Sequence, residues 1–108
     1  FKDIANYFVK EVKENSLDGQ YILGWMYQYG QGIDQNYQEA VKCYKKSGEQ
    51  GFAAAQYSLG EMYENGYGVD KDYSKALEYY QAAAKQGYAK AEAKVIEITK
   101  ILDAITLN

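Results

Sequence analysis

The stretch Gln20–Gly51 reads QYILGWMYQYGQGIDQNYQEAVKCYKKSGEQG, and Gln56–Gly87 reads QYSLGEMYENGYGVDKDYSKALEYYQAAAKQG. The second is the first again, 36 residues on, with Leu23/Leu59, Gly24/Gly60, Tyr27/Tyr63, Gly30/Gly66, Gly32/Gly68, Tyr37/Tyr73, Ala40/Ala76, Tyr44/Tyr80 and Gly51/Gly87 among the identical pairs. A repeat of this length is one supersecondary unit that must stack on its neighbours to bury its apolar face. Such a chain is confined to a solenoid. Apolar residues at helical spacing, interrupted in fixed phase by glycines, make each copy two helices joined by a turn. The expected fold class is all-α.

Residues 1–16 (FKDIANYFVKEVKENS) look like half a repeat. Two periods on, Tyr7 and Phe8 align with Tyr79 and Tyr80, while Ile4, Phe8 and Val12 form an apolar stripe. The reading is a helix over about 3–14, the second helix of a repeat whose first is missing, as if cut from a longer array. Repeat 1 spans 17–52. Its first helix, Leu17–Tyr29, buries Leu23, Gly24, Met26 and Tyr27 and closes at Gly30-Gln31-Gly32, where glycine supplies the left-handed cap. Gly24 costs about 1 kcal/mol of helix propensity, so its recurrence as Gly60 points to the close approach of another helix. The second helix starts after Asn36, an N-cap with Glu39 three residues on. Ser47 and Gly48 should loosen its last turn, and Gly51 stops it.

Repeat 2 spans 53–88 on the same plan. A helix over Ala53–Asn65 is followed by the turn Gly66-Tyr67-Gly68-Val69, an Asp72 cap and a helix over Tyr73–Gln86 that Gly87 ends. Residues 89–108 open like a third repeat, with Ala89 and Ala91 matching Ala53 and Ala55. Then Val95-Ile96 stands where Leu-Gly is expected, and no glycine turn follows. This reads as one capping helix, with Ala91, Val95, Ile98, Leu102 and Ile105 in a stripe facing the helix before it.

Several chemistries are excluded by what the chain lacks. It contains no histidine, which removes His-containing metal sites, Cys–His pairs and Ser–His–Asp triads. Its one cysteine, Cys43, cannot form an intrachain disulfide, reads as a packed thiol, and leans toward a reducing, cytoplasmic compartment. The chain opens on Phe1 rather than Met, so localisation is not legible at this end. Asp70-Lys71-Asp72 begins like a calcium loop, but Lys75 and Gln81 stand where that loop needs glycine and glutamate; Asp72 reads as a helix cap. The G-x-G turns follow helix C-termini, the wrong end for a phosphate. A net charge of −3 and a pI near 4.9 argue against nucleic acid, and no run reaches the length of a membrane span. The carboxylates are scattered, with nothing to pin two in a pocket. No catalytic residue, cofactor or metal is expected.

The pattern L-G-x-x-Y-x-x-G-x-G-(V/I)-D-x-(D/N)-Y-x-x-A-(V/L)-x-x-Y, closing on Q-G, resembles the Sel-1-like repeat family, a relative of tetratricopeptide repeats. KALEYYQAAAKQG in repeat 2 is very close to the family's second helix, and repeat 1 departs at Ser47-Gly48, where the family prefers Ala-Ala. The resemblance implies a right-handed αα superhelix whose first helices line a concave face. It also implies an adaptor that holds other proteins, in settings such as signalling, protein quality control, cell-wall synthesis or host–pathogen contact.

The chain has 13 tyrosines. Those that recur between repeats are read as structural. The informative residues differ between repeats on the groove face of the first helices: Tyr21, Trp25, Gln28 and Tyr29 in repeat 1, and Tyr57, Glu61, Glu64 and Asn65 in repeat 2. The opening of the third repeat offers Lys90, Ala93 and Glu97. Trp25 stands where repeat 2 has Glu61, so the fold does not need an apolar residue there. It either faces a ligand, in an aromatic stripe with Tyr21 and Tyr29, or packs on the incomplete first repeat. The functional expectation is a non-catalytic module that takes a peptide or helix of another protein in this groove. Aromatic residues would hold apolar side chains, and Glu61 and Glu64 a lysine or arginine. The alternative is self-association through the cap helix, using Ile96, Ile101 and Leu107.

Overall fold

The computed structural model describes residues 16–107; the helix read over 3–14 lies outside the described residues. Ser16 opens α1 (Leu17–Tyr29) by accepting the Gly19 N–H on its hydroxyl at 2.9 Å. The helix closes on Gly30 at φ 67°. Asn36 opens α2 (Tyr37–Gly48), its Oδ1 accepting from the Glu39 N–H at 3.1 Å. The reciprocal half of the capping box is not made. Asn36 instead donates its own N–H to the Tyr27 carbonyl at 2.8 Å, which ties the turn back to α1.

Repeat 2 copies this wiring. α3 (Ala53–Asn65) closes on Gly66 at φ 72°. Asp72 caps α4 (Tyr73–Ala84) through the Lys75 N–H at 3.0 Å and donates to the Tyr63 carbonyl at 2.9 Å. α4 stops at Ala84 rather than Gln86, because the last turn tightens: the N–H groups of Gln86 and Gly87 reach back three residues to Ala83 and Ala84. α5 (Ala89–Leu107) follows. All regular structure among the described residues is helical.

Each helix pair closes on a tyrosine. A Cβ added at Gly24 would lie 2.7 Å from the Tyr44 ring, and one at Gly60 only 2.5 Å from the Tyr80 ring. The expected close approach is therefore real. What approaches is an aromatic face from the second helix of the same repeat. Both rings are fully buried, each gaining about 2–3 kcal/mol by area. Each hydroxyl donates one turn farther along the first helix, Tyr44 Oη to Gln28 Oε1 and Tyr80 Oη to Glu64 Oε1, both at 2.6 Å.

Repeats then stack. Ala40, Val41 and Tyr44 of α2 meet Ala55, Leu59 and Met62 of α3, while Tyr63, Ala76 and Tyr80 meet Ile98 of α5. Val69 and Tyr79 pack on both clusters and join them. Ser47 and Gly48 do not loosen α2, which has the same 12 residues as α4. Ser47 Oγ donates to the Leu17 carbonyl at 2.9 Å, and the Gly48 carbonyl accepts from Gln56 Nε2 at 3.0 Å. A Cβ at Gly48 would sit 3.1 Å from Leu59, so the small residue admits the next repeat. Gln86 Nε2 adds bonds to the Gly51 carbonyl (2.8 Å) and to Gln56 Oε1 (3.0 Å). Gln20, the repeat-1 counterpart of Gln56, is buried, and its Nε2 has no hydrogen-bond partner among the described residues.

The result is a long body of 51 × 25 × 17 Å. On α5, Ala91 and Ile98 are buried and Val95 and Leu102 half-buried. Ile105 is 56% exposed, because the 19-residue α5 overhangs the shorter α4. Ile101, read as lying off the packed stripe, is half-buried against the second cluster. Ile96 occupies the position of Gly24 and Gly60 and is exposed, so α5 offers no slot for another tyrosine.

In an exposed helix, Gly→Ala stabilises by about 1 kcal/mol. Here the sign should invert. Gly24→Ala and Gly60→Ala should each destabilise by about 2 kcal/mol through overpacking on the ring, as read from urea denaturation.

Candidate functional site

One face of α1 is left open to solvent. Ile22, Trp25 and Tyr29, spaced to share that face, are 39%, 43% and 52% exposed. The Trp25 and Tyr29 rings lie 4.9 Å apart, tilted by 51°. Tyr21 does not belong with them. It is half-buried, 5.9 Å from the Tyr44 ring and 5.6 Å from Phe52. Tyr57 repeats this role, 5.4 Å from Tyr80 and stacked on Tyr88 at 5.3 Å. Each of these two tyrosines packs its ring on the buried tyrosine of its own repeat.

Gln28 and Glu64 are likewise committed inside. Their side-chain oxygens accept the tyrosine hydroxyls, and Glu64 also pairs with Lys94 at 3.1 Å. Glu61 is the acid that remains. It is half-buried and makes no ion pair among the described residues. Burial pushes its carboxyl pKa up, against the pull of Lys94 and of the Tyr57 hydroxyl. Burial, with the Glu61 charge second, pushes the Tyr57 hydroxyl up to about 12.

Where α1 and α3 end, a cavity of about 320 Å³ opens, lined by Gln28, Tyr29, Gln35, Tyr37, Glu61, Asn65 and Tyr67. Four residues expected in the groove (Gln28, Tyr29, Glu61 and Asn65) meet here, and Trp25 stands beside them on Tyr29. Tyr37 and Tyr67 stack at 4.9 Å and 13°. Gly68 lets that turn lie against α2, since a Cβ there would come within 2.7 Å of the Tyr37 backbone. Ile22, Gln35, Tyr37 and Tyr67 were not among the expected site residues. Ile22 and Tyr67 carried a usable signal, because their repeat counterparts are Ser58 and Gln31. Cys43 is buried, as a packed thiol should be. Among the described residues no helix is long and apolar enough to cross a membrane.

Tandem helix pairs joined by tyrosine-in-glycine contacts, with one face of the first helices left open, define a helical-repeat solenoid. Residues 17–52 and 53–88 each match the Sel1 repeat, and the chain belongs to that family. It is 39% identical to a Sel1 repeat protein from Oxalobacter formigenes, over 76% of this chain and 62% of that one, with a TM-score of 0.74. A protective antigen of uropathogenic Escherichia coli strains that displays an SLR fold is 31% identical over 90% of this chain, with a TM-score of 0.85. This chain spans only 21% of that antigen's length. Helicobacter pylori cysteine rich protein B shares the fold at 24% identity and a TM-score of 0.77, over 85% of this chain and 69% of that one. Sel1 and tetratricopeptide-like repeats generally mediate protein–protein interaction and are typically non-catalytic scaffolds.

Burial raises the hydroxyl pKa values of Tyr44 and Tyr80 well above the ordinary phenol range. Their folded values exceed the unfolded value of about 10, so the stability they contribute is complete below that pH and is lost as pH rises beyond it. Denaturation midpoints should hold to about pH 10 and then fall. Tyr44→Phe and Tyr80→Phe should flatten the fall while lowering the midpoint at neutral pH.

Proposed function

We propose that the chain is a non-catalytic interaction module whose α1–α3 face holds a peptide or helix of another protein. Residues 17–52 and 53–88 serve as its two working repeats, with α5 as the cap. The observation that carries this reading is the exposed Trp25–Tyr29 pair at positions where repeat 2 has Glu61 and Asn65. The solenoid does not need those rings for packing, and exposed, rigid aromatic pairs are the usual anchors of protein interfaces. Glu61, half-desolvated at the edge of the same face, supplies an acid for a lysine or arginine of the partner. Glu64, expected to share that task, is occupied by Tyr80 and Lys94.

A display library of linear peptides, panned on the protein, tests this without knowledge of the natural partner. Trp25→Ala should weaken the selected peptides at least about 30-fold, the effect of a hot spot near 2 kcal/mol, and Glu61→Lys should weaken those that carry a basic residue. Peptides whose affinity survives both changes, with helicity intact, would move the site elsewhere.

A second reading has its own observation. Ile96 and Leu107 are 60% and 86% exposed and share a face of α5, three turns apart. They could pair two copies. Light scattering at high micromolar concentration should then show a dimer that Ile96→Glu dissociates; a monomer removes this reading.

A further inference from the structure

We propose that the cavity at the ends of α1 and α3 is a pocket for the guanidinium of an arginine on the partner; this rests on the interaction reading above and names the chemistry of one subsite.

The hydrogen bonds orient the lining. Gln35 Nε2 donates to the Gln28 backbone carbonyl at 2.8 Å, with Tyr37 Oη 3.4 Å away. Asn65 Nδ2 donates to the Glu61 backbone carbonyl at 3.0 Å. A carbonyl can only accept, so both amide groups have their NH₂ ends engaged, and Gln35 Oε1 and Asn65 Oδ1 are left as the available ends. The Glu61 carboxylate and the Tyr67 phenol oxygen add to these, and the Tyr29 oxygen, which accepts from Gln28 Nε2 at 3.4 Å, keeps a second lone pair; acceptors predominate in the wall. Its lining holds no lysine or arginine. A ligand that matches brings several donors, and among side chains the guanidinium is the extreme case, with five N–H groups in a planar fork.

Two further features select a flat cation. The last residues of both α1 and α3, Tyr29 and Asn65, line the cavity. The negative ends of two helix dipoles therefore lie beside it. The walls also include the Tyr37–Tyr67 stack and the Tyr29 ring, which offer aromatic faces to a planar cation. A lysine ammonium would satisfy the charge but could engage fewer of the separated acceptors. The same dipoles and carboxylate oppose an anion.

The test uses ¹⁵N-labelled protein titrated with N-acetyl-arginine methylamide, its neutral isostere N-acetyl-citrulline methylamide, and the lysine analogue. The arginine compound should give saturable shifts at the side-chain amides of Gln35 and Asn65 and the backbone amides of Glu61 and Tyr67. Glu61→Gln should weaken it about tenfold, as loss of a close charge pair does, and Tyr67→Ala, in an exposed turn, should weaken it too. Equal binding of citrulline, equal binding of lysine, or no saturation with arginine would each overturn the pocket. The peptide selection separates the two proposals. Trp25-dependent peptides without arginine enrichment end the pocket and spare the module, whereas arginine binding without Trp25-dependent peptides does the reverse.

Discussion

A tyrosine ring laid on a glycine sets the geometry of each repeat. Gly24 and Gly60 leave room for the rings of Tyr44 and Tyr80, which fixes how closely the two helices of a pair can lie. The buried hydroxyl then needs an acceptor, because desolvating it unpaired would cost about 1–3 kcal/mol. Gln28 and Glu64, one turn beyond the glycines, provide it. The contact therefore sets both the separation of the helices and their axial register. It also places the last turn of α1 and of α3, from which Trp25, Tyr29, Glu61 and Asn65 project.

Between repeats the apolar seam of Ala40, Val41 and Tyr44 on Ala55, Leu59 and Met62 is pinned by polar ties, Gln56 to Gly48 and Gln86 to Gly51. Directional bonds of this kind hold one repeat on the next without drawing on the open face of α1 and α3. That face is free to diverge, and it is where repeat 1 carries indole and phenol while repeat 2 carries carboxylate and amide.

The helices were legible because repetition filters noise. A glycine inside one helix is ambiguous, but Gly24 recurring as Gly60 announced a close contact, and Asn36 and Asp72 marked helix starts to the residue. The tyrosine as the approaching group was not legible, since Tyr44 is 16 residues from Gln28 in the chain and no local pattern links them. Nor was it legible that Gln28 and Glu64 turn a side-chain oxygen inward to the Tyr44 and Tyr80 hydroxyls, with Gln28 still lining the cavity. Ser47-Gly48 looked weak for a parallel reason, as its stabilising partners lie in α1 and α3. Tyr67 was passed over because it sits in a turn, although it differs from its counterpart Gln31, the criterion that singled out Trp25.

Ile96 has a consequence for assembly. Within each repeat a glycine admits the ring of the second helix, and the third such position is filled by the branched side chain of Ile96. A helix laid on α5, from this chain or another copy, cannot close on it ring against backbone as Tyr44 and Tyr80 do, so the volume of one side chain decides which kind of contact α5 can make.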